Sequence, residues 1–303
     1  IKQMDAAPDI VHGHDWLASD QLLASSRAFS VPSVLTVHAT EFGRHNGWLT
    51  SRLSQIVYSS EHRSMTLANS VIVCSESMRN EIRTGYGLRP KKFNVIPNAI
   101  RPSDNQHQTS AATRKETDPT IVVGFIGRLE WEKGIHHIID AIELIDDLSV
   151  KLEIVGIGSQ WESLQAKVAR KGVSERIQFL GHVSDERKDA ILGSWDLAVI
   201  PSSYEPFGIV ALELGQRSIP IVASRVGGLV DIISTEEFGY PLVEVTGDAI
   251  AQAIFSIKND REQARARAAR LRERIALEFT WGNVCNLTDK VYEEAFAGAQ
   301  EKV

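Results

Sequence analysis

Short apolar runs alternate along the chain with stretches whose apolar residues recur every three or four positions, the rhythm of parallel strands joined by helices. In the first third, DIVH (9–12), SVLTVH (33–38), SVIVCS (70–75) and FNVIPN (93–98) read as strands. Helices are predicted between them over about 17–28, 51–69 and 76–84. Further on, IVVGFIG (121–127), VKLEIVG (150–156), IQFLG (177–181), LAVIP (197–201) and IPIVAS (219–224) read as five more strands. Ile135, Ile138, Ile139, Ile142 and Ile145 form one helical stripe after the first of these. Beyond Asp248 the pattern becomes helical, with Ala264, Ala268, Leu271 and Ile275 on one face. Arg261, Arg265, Arg267, Arg270 and Arg272 occupy the other positions, and the simplest reading is a solvated face.

Between the two series lies RPSDNQHQTSAATRKETD (101–118), a polar segment with almost no large apolar side chain. It divides the chain into a first α/β domain over 1–100, a linker over 101–118, and a second α/β domain over 119–280. A last helix, 281–303, is expected to pack back on the first domain. The 303 residues suffice for two domains of ordinary size. A net charge of −6 argues against general nucleic-acid binding, which needs a basic surface. Two cysteines, Cys74 and Cys285, make neither a metal pattern nor a disulfide framework, which fits a reducing, cytoplasmic setting. No apolar run approaches the roughly 20 residues that span a bilayer, so membrane association is not expected.

The segment DLAVIPSSYEPFGIVALE (196–213) carries the most chemistry. A buried parallel strand ends in Pro-Ser-Ser-Tyr, and a helix is predicted to open at Pro206 with Glu205 before it and Glu213 two turns further in. In open α/β sheets ligands bind where strand carboxyl ends meet helix N-termini, and free N–H groups there attract anions. An acid at each depth suits a ligand with sugar hydroxyls outside and a ribose deeper. The loop Gly127-Arg128-Leu129-Glu130-Trp131-Glu132-Lys133-Gly134 adds two cations beside a helix start. Arg grips phosphate with two parallel hydrogen bonds and Lys supplies a compact charge, together able to stabilise a leaving diphosphate. The bland alternative pairs both cations with Glu130 and Glu132. Gly156-Ile157-Gly158, Gly181-His182-Val183 and Gly227-Gly228 mark further turns after strands. Histidines cluster in VHGHDWLA and TVHATEFGRHNGW, at strand ends of the first half. The spacing of His12, His14, His38 and His45 is not a metal-binding pattern, so no metal is expected.

Glu205-PFGIVAL-Glu213 and GRLEWEKG resemble the Glu-x7-Glu and GRL-x-x-x-KG signatures of retaining glycosyltransferases with the GT-B fold, families 4 and 5, the glycogen and starch synthase relatives. The resemblance covers nearly the whole chain and implies two doubly wound, Rossmann-like α/β domains facing across a cleft, the first incomplete. It implies that Arg128 and Lys133 hold a donor diphosphate, that Glu205 binds donor-sugar hydroxyls, and that Glu213 binds the ribose. Gly127, Gly156, Gly158, Phe207, Gly208, Ile209, Gly227 and Gly228 would then line the donor site, with His182 beside it and the Val183 backbone on the base. VHGHDW and TVHATEFGR are similar to the family's first-domain histidine stretches. They make His14 or His38 the residue near the transferring sugar, and Asp15, Glu41, Arg44 and Trp48 candidates for acceptor or sugar contacts.

What the resemblance implies is transfer of a sugar, glucose first among candidates, from an ADP- or UDP-sugar to a saccharide acceptor, without a cofactor. The chain opens at what resembles the middle of the family's first domain, so it is expected to be a fragment whose exposed sheet edge favours self-association. Rival readings are a UDP-sugar 2-epimerase of the same architecture, which would need other cleft acids, and a non-catalytic nucleotide-sugar-binding remnant. Phosphorylases share the architecture but are far longer.

Overall fold

Strand formation follows the apolar runs, with boundaries decided by pairing rather than hydropathy. In the computed structural model, which describes residues 7–89, 93–101 and 120–300, the chain divides into two units. One runs to Ala99 and includes the helix from Trp281; the other runs from Ile100 to Thr280. The polar segment 101–118 lies, apart from Arg101, outside the described residues.

The first unit is a parallel sheet of β1 (Val11–His14), β2 (Ser33–Val37), β3 (Ser70–Val73) and β4 (Phe93–Val95), in the spatial order β1-β2-β3-β4. β1 starts two residues later than the run DIVH suggests, because its partners are Ser33 to Thr36: Val11 pairs with Ser33 and His14 with Thr36. The ladder carries the strand through Gly13 and His14 although neither is a strong β former. Helices α1 (Ser19–Phe29), α2 (Glu41–Arg44), α3 (Arg52–Leu67) and α4 (Glu76–Gly85) fill the connections. Thr40, Ser51 and Ser75 cap α2, α3 and α4, each side chain accepting from a backbone N–H three residues on. Right-handed crossovers that always step the same way put their helices on one face of a sheet. The opposite face is covered by the C-terminal helix (Trp281–Gln300), whose Val291 and Ala295 join Val34, Ile72 and Ile96 in a core cluster.

The second unit is a six-stranded parallel sheet: β5 (Ile121–Ile126), β6 (Val150–Val155), β7 (Ile177–Gly181), β8 (Leu197–Ile200), β9 (Ile221–Ser224) and β10 (Tyr240–Leu242). Its order, β10-β9-β8-β5-β6-β7, is that of a doubly wound fold reversing between β5 and β8. β10 is the strand the hydropathy pattern missed; three residues around Pro241 give no apolar run, and only pairing to Val222–Ser224 defines it. Helices α5 (Ile135–Leu144), α6 (Trp161–Arg170), α7 (Asp185–Gly193), α8 (Ile209–Gly215), α9 (Leu229–Ile232), α10 (Gly247–Asn259) and α11 (Arg261–Glu278) complete the unit. The isoleucine stripe of α5 is fully buried in the main core. On α11 the arginines divide. Arg267 donates to the Gly239 carbonyl at 2.9 Å with its guanidinium 4.4 Å above the Tyr240 ring, and Arg270 donates to the Glu237 carbonyl at 3.2 Å. Arg261, Arg265, Arg270 and Arg272 are exposed, so the solvated reading fails for Arg267 alone. Arg267 and Arg270 reach carbonyls of the turn before β10 because they lie on the side of α11 that faces it. Among the described residues no helix is long and apolar enough to cross a membrane.

The second sheet is locked at its centre by Trp195. Its indole is 1% exposed and donates to Glu153 at 2.8 Å. It lies on β5 at Gly124, where an added Cβ would fall 1.9 Å from the ring. Gly124→Ala therefore forces the indole out of its slot, and overpacking of this kind costs roughly 1–3 kcal/mol. A lower urea midpoint of the purified variant is the expected outcome; an unchanged midpoint would show that the indole is not held there.

Candidate active site

In the second unit the site is built by loops pressed together at the carboxyl end of the sheet. After β5 the chain makes a single 3-10 turn, Trp131–Lys133, and α5 begins after Gly134, whose φ is +66°. A Cβ on Gly134 would lie 2.2 Å from the Pro201 carbonyl oxygen at the end of β8. Glycine is required here on both counts, and its absence of a side chain lets the β5 loop lie on the β8 loop. The Ser203 N–H donates to the Glu132 carbonyl at 2.7 Å across this contact. The consequence is an ion pair between residues far apart in sequence: Lys133 Nζ stands 2.7 Å from Glu205 Oε2, to which Ser202 Oγ also donates at 3.1 Å. The two side chains are only 16% and 15% exposed.

Glu205 is also held through its backbone. Its carbonyl accepts from Gly228 N at 3.0 Å, and a Cβ on Gly227, where φ is +52°, would fall 1.7 Å from that same oxygen. Helix α8 opens at Ile209, after Gly208 with φ +103°, and not at Pro206. Proline suits a first helical turn, but the bond from Gly228 N and the left-handed Gly208 hold 206–208 out of the helix. Glu205 is thus a loop residue, and Glu213 lies about one turn inside α8, not two, with its Oε1 3.5 Å from Lys188 Nζ.

Arg128 is placed differently from Lys133. Its guanidinium pairs with Glu132 at 3.1 Å and is 70% exposed, so the bland pairing describes Arg128 and fails for Lys133. Glu130 is taken by Ser159, whose N–H and Oγ both donate to its carboxylate. Gly156 and Gly158 permit the loops after β5 and β6 to touch: Cβ atoms there would fall 1.8 Å from the Gly127 carbonyl oxygen and 2.4 Å from that of Leu129. His182 is exposed and Val183 half-buried, directly after Gly181 in the left-handed region. Phe207 is 3% exposed and its ring packs 6.0 Å from that of Phe279, so its side chain belongs to the core. Ile209, by contrast, is 46% exposed. Ser202 and Ser203 were not singled out from the sequence; the Pro-Ser-Ser-Tyr strand ending was the signal that pointed to them. Chemically, this cluster offers one desolvated ammonium and one carboxylate that satisfy each other. A phosphate with neighbouring hydroxyls suits both at once, the phosphate on Lys133 and the hydroxyls on Glu205.

In the first unit the ends of β1 and β2 carry a stack of histidines. His14 Nδ1 lies 3.0 Å from His38 Nε2, with the rings nearly parallel, and His12 stacks on His14 with centroids 4.6 Å apart. His12 Nδ1 is 2.6 Å from the Tyr292 hydroxyl on the C-terminal helix, and its Nε2 is 2.7 Å from Thr36 Oγ1. Burial, then the neighbouring His14 and His38, push His12 down to about 4. Burial and His38 also lower His14, against a raising effect from Asp15. Asp15 adopts φ +57° and ψ −179°, sparsely populated for a residue with a Cβ, and accepts the His38 N–H at 2.8 Å. Such strain persists only where surroundings enforce it, and it concentrates at functional sites. Glu41 pairs with His45 at 3.0 Å, while Arg44 is exposed and Trp48 is 75% exposed.

Both α/β units have the fold that GT-B glycosyltransferases share. The chain superposes on sucrose-phosphate synthase from Thermosynechococcus elongatus with a TM-score of 0.82 at 24% identity, covering 96% of this chain and 74% of that one. HepE from Anabaena, in complex with UDP-glucose, superposes with a TM-score of 0.78 at 22% identity, over 94% and 78% of the two chains. The family model described as glycosyl transferases group 1 matches residues 106–274, and that of glycosyltransferase family 4 matches residues 1–104. The glycogen synthase of Mycobacterium tuberculosis is 36% identical over 296 residues, 97% of this chain and 70% of that protein. The chain belongs to the group 1 glycosyltransferase family.

Two outcomes are expected from this geometry. Lys133→Met leaves the Glu205 carboxylate partly buried with one hydroxyl partner, a loss of roughly 1–3 kcal/mol. Lys133→Met with Glu205→Gln should cost less than the sum of the single changes, and a double-mutant cycle in urea measures the coupling. For His12, a folded pKa of about 4 against 6.5 means that its stabilising contribution is complete above pH 6.5 and is lost as pH falls towards 4. Wild-type protein should therefore lose more stability across that window than His12→Gln, read as the difference in urea midpoints.

Proposed function

We propose that this glycosyltransferase is a retaining enzyme of the glycogen-synthase type, moving a hexose, glucose in first place, from a nucleoside-diphosphate sugar to a saccharide acceptor. The observation that carries the proposal is the Lys133–Glu205 pair at 2.7 Å, a cation and an acid from separate loops converging at one sheet end. HepE, related in fold, is captured with UDP-glucose, which supports a nucleoside-diphosphate-linked glucose as donor here; between UDP and ADP the motif resemblance leaves both open.

In this reading the donor diphosphate displaces Glu205 from Lys133 and draws in Arg128, whose exposed guanidinium needs only to leave Glu132. Negative charge grows on the diphosphate as the anomeric C–O bond breaks, and both cations stabilise it most at that moment. Glu205, freed, accepts hydrogen bonds from donor-sugar hydroxyls. Glu213 takes the ribose, the Val183 backbone the base, and the glycine turns at 127, 156, 158, 208, 227 and 228 present backbone without Cβ obstruction. The acceptor hydroxyl oxygen bonds to the anomeric carbon on the face the diphosphate leaves, and its proton passes to a departing phosphate oxygen. Retention follows from that same-face geometry. The motif resemblance assigns the hydrogen bond to the transferring sugar to His14 or His38.

Lys133→Ala and Glu205→Ala are each expected to lose at least ~2 kcal/mol of transition-state stabilisation, about 30-fold in turnover. The measurement is release of nucleoside diphosphate from a panel of nucleotide sugars with an α-glucan acceptor, after a thermal-shift screen has identified the donor that binds. Wild-type turnover in both variants would refute the assignment.

A further inference from the structure

Helix α2 is too short to stand alone. Forming a single turn fixes about six dihedrals for one hydrogen bond, and its first N–H groups have no partners within the helix. Each of the first three is met by a side chain. Gly43 N donates to Thr40 Oγ1 at 2.9 Å, Phe42 N to the Tyr86 hydroxyl at 3.3 Å, and Glu41 N to both carboxylate oxygens of Glu61 at 3.1 Å. Those partners are themselves tied down, since the Tyr86 hydroxyl donates to Glu61 and Thr40 Oγ1 donates to Glu81. Ser54 Oγ donates to the Glu41 carboxylate at 2.6 Å. Glu61, Tyr86 and Thr40 are buried, at 5%, 4% and 0% exposed.

A carboxyl sunk this deep is a poor way to fill space, because burial disfavours its charge. Burial outweighs the hydrogen bonds from Tyr86 and the Glu41 backbone and pushes Glu61 up to about 7, with Glu41 raising it and Arg44 lowering it further. What the carboxyl provides is an acceptor aimed at the first amide of α2. That helix begins three residues after His38 and carries Glu41 and Arg44. Its other anchor is Phe42, seated on Gly85, where an added Cβ would fall 2.6 Å from the ring.

We infer that Glu61, with Tyr86 and Glu81, is a positioning residue for the acceptor side of the reaction: it sets where α2, which begins three residues after His38, holds Glu41 and Arg44. The inference rests on the glycosyltransfer reading above. Glu61 touches no substrate in it; its effect passes through the α2 backbone.

The test compares Glu61→Leu, Glu61→Gln and Tyr86→Phe in the full chain, by steady-state kinetics and by hydrogen exchange at the Glu41, Phe42 and Gly43 amides. Glu61→Leu should raise acceptor KM and speed exchange at these amides by about tenfold, the size of one lost buried hydrogen bond. Donor KM should stay within about twofold. Glu61→Gln keeps one acceptor oxygen and should restore both readouts. Tyr86→Phe removes one hydroxyl without opening a cavity and should shift both readouts in the same direction, which keeps the test open if Glu61→Leu fails to fold. Wild-type exchange at α2 in a folded variant would overturn the inference, as would equal rises in donor and acceptor KM. If wild-type protein turns over no nucleotide sugar, the glycosyltransfer reading fails. Exchange at α2 then judges the Glu61 anchor by itself.

Discussion

The second unit depends on how closely two loops can approach at the end of its sheet. Lys133 and Glu205 meet at 2.7 Å because Gly134 and Gly227 have no Cβ to collide with the Pro201 and Glu205 carbonyl oxygens. The ion pair is therefore a product of backbone packing. Neither charge could be left alone at about 15% exposure without a desolvation penalty, so each holds the other, and in the proposed reaction the donor replaces both partners. That makes the pair suited to a ligand that brings an anion and hydroxyls together.

The two units cover their sheets in different ways. In the second, the strand order reverses at β5 and β8, so successive crossovers bring helices to both faces of the sheet. In the first, the order runs one way, and the face left open by the crossovers is closed by the C-terminal helix. The same helix brings the Tyr292 hydroxyl to His12, so the element that seals the core also orients the histidine stack. Packing and site chemistry share one helix there.

Glutamates show how burial decides role. Glu130 at the surface rivets Ser159 and is held below the usual carboxylate range by those hydrogen bonds. Glu205, partly buried, takes a lysine. Glu61, deeply buried among hydroxyl and amide donors, is pushed towards neutral pH and serves as an acceptor for backbone. The residue type is constant; the solvent around it is not.

Fold class, two α/β halves and nearly all the strands were legible in sequence, because hydrophobic periodicity is a local signal and parallel strands buried on both faces read as apolar runs. Family membership was legible too, since Arg128, Lys133, Glu205 and Glu213 stand at fixed spacings within short segments. β10 was not, because its identity comes from pairing with β9 rather than from its own composition. The start of α8, the separate fates of Arg128 and Lys133, and the docking of Arg267 and Arg270 on turn carbonyls were likewise decided by tertiary contact. So was the anchoring of α2 by Glu61, 20 residues away in the chain. Sequence carries what depends on neighbours three or four residues apart. Which charge meets which, and which acid is taken out of water, depends on distances that only the packed loops define.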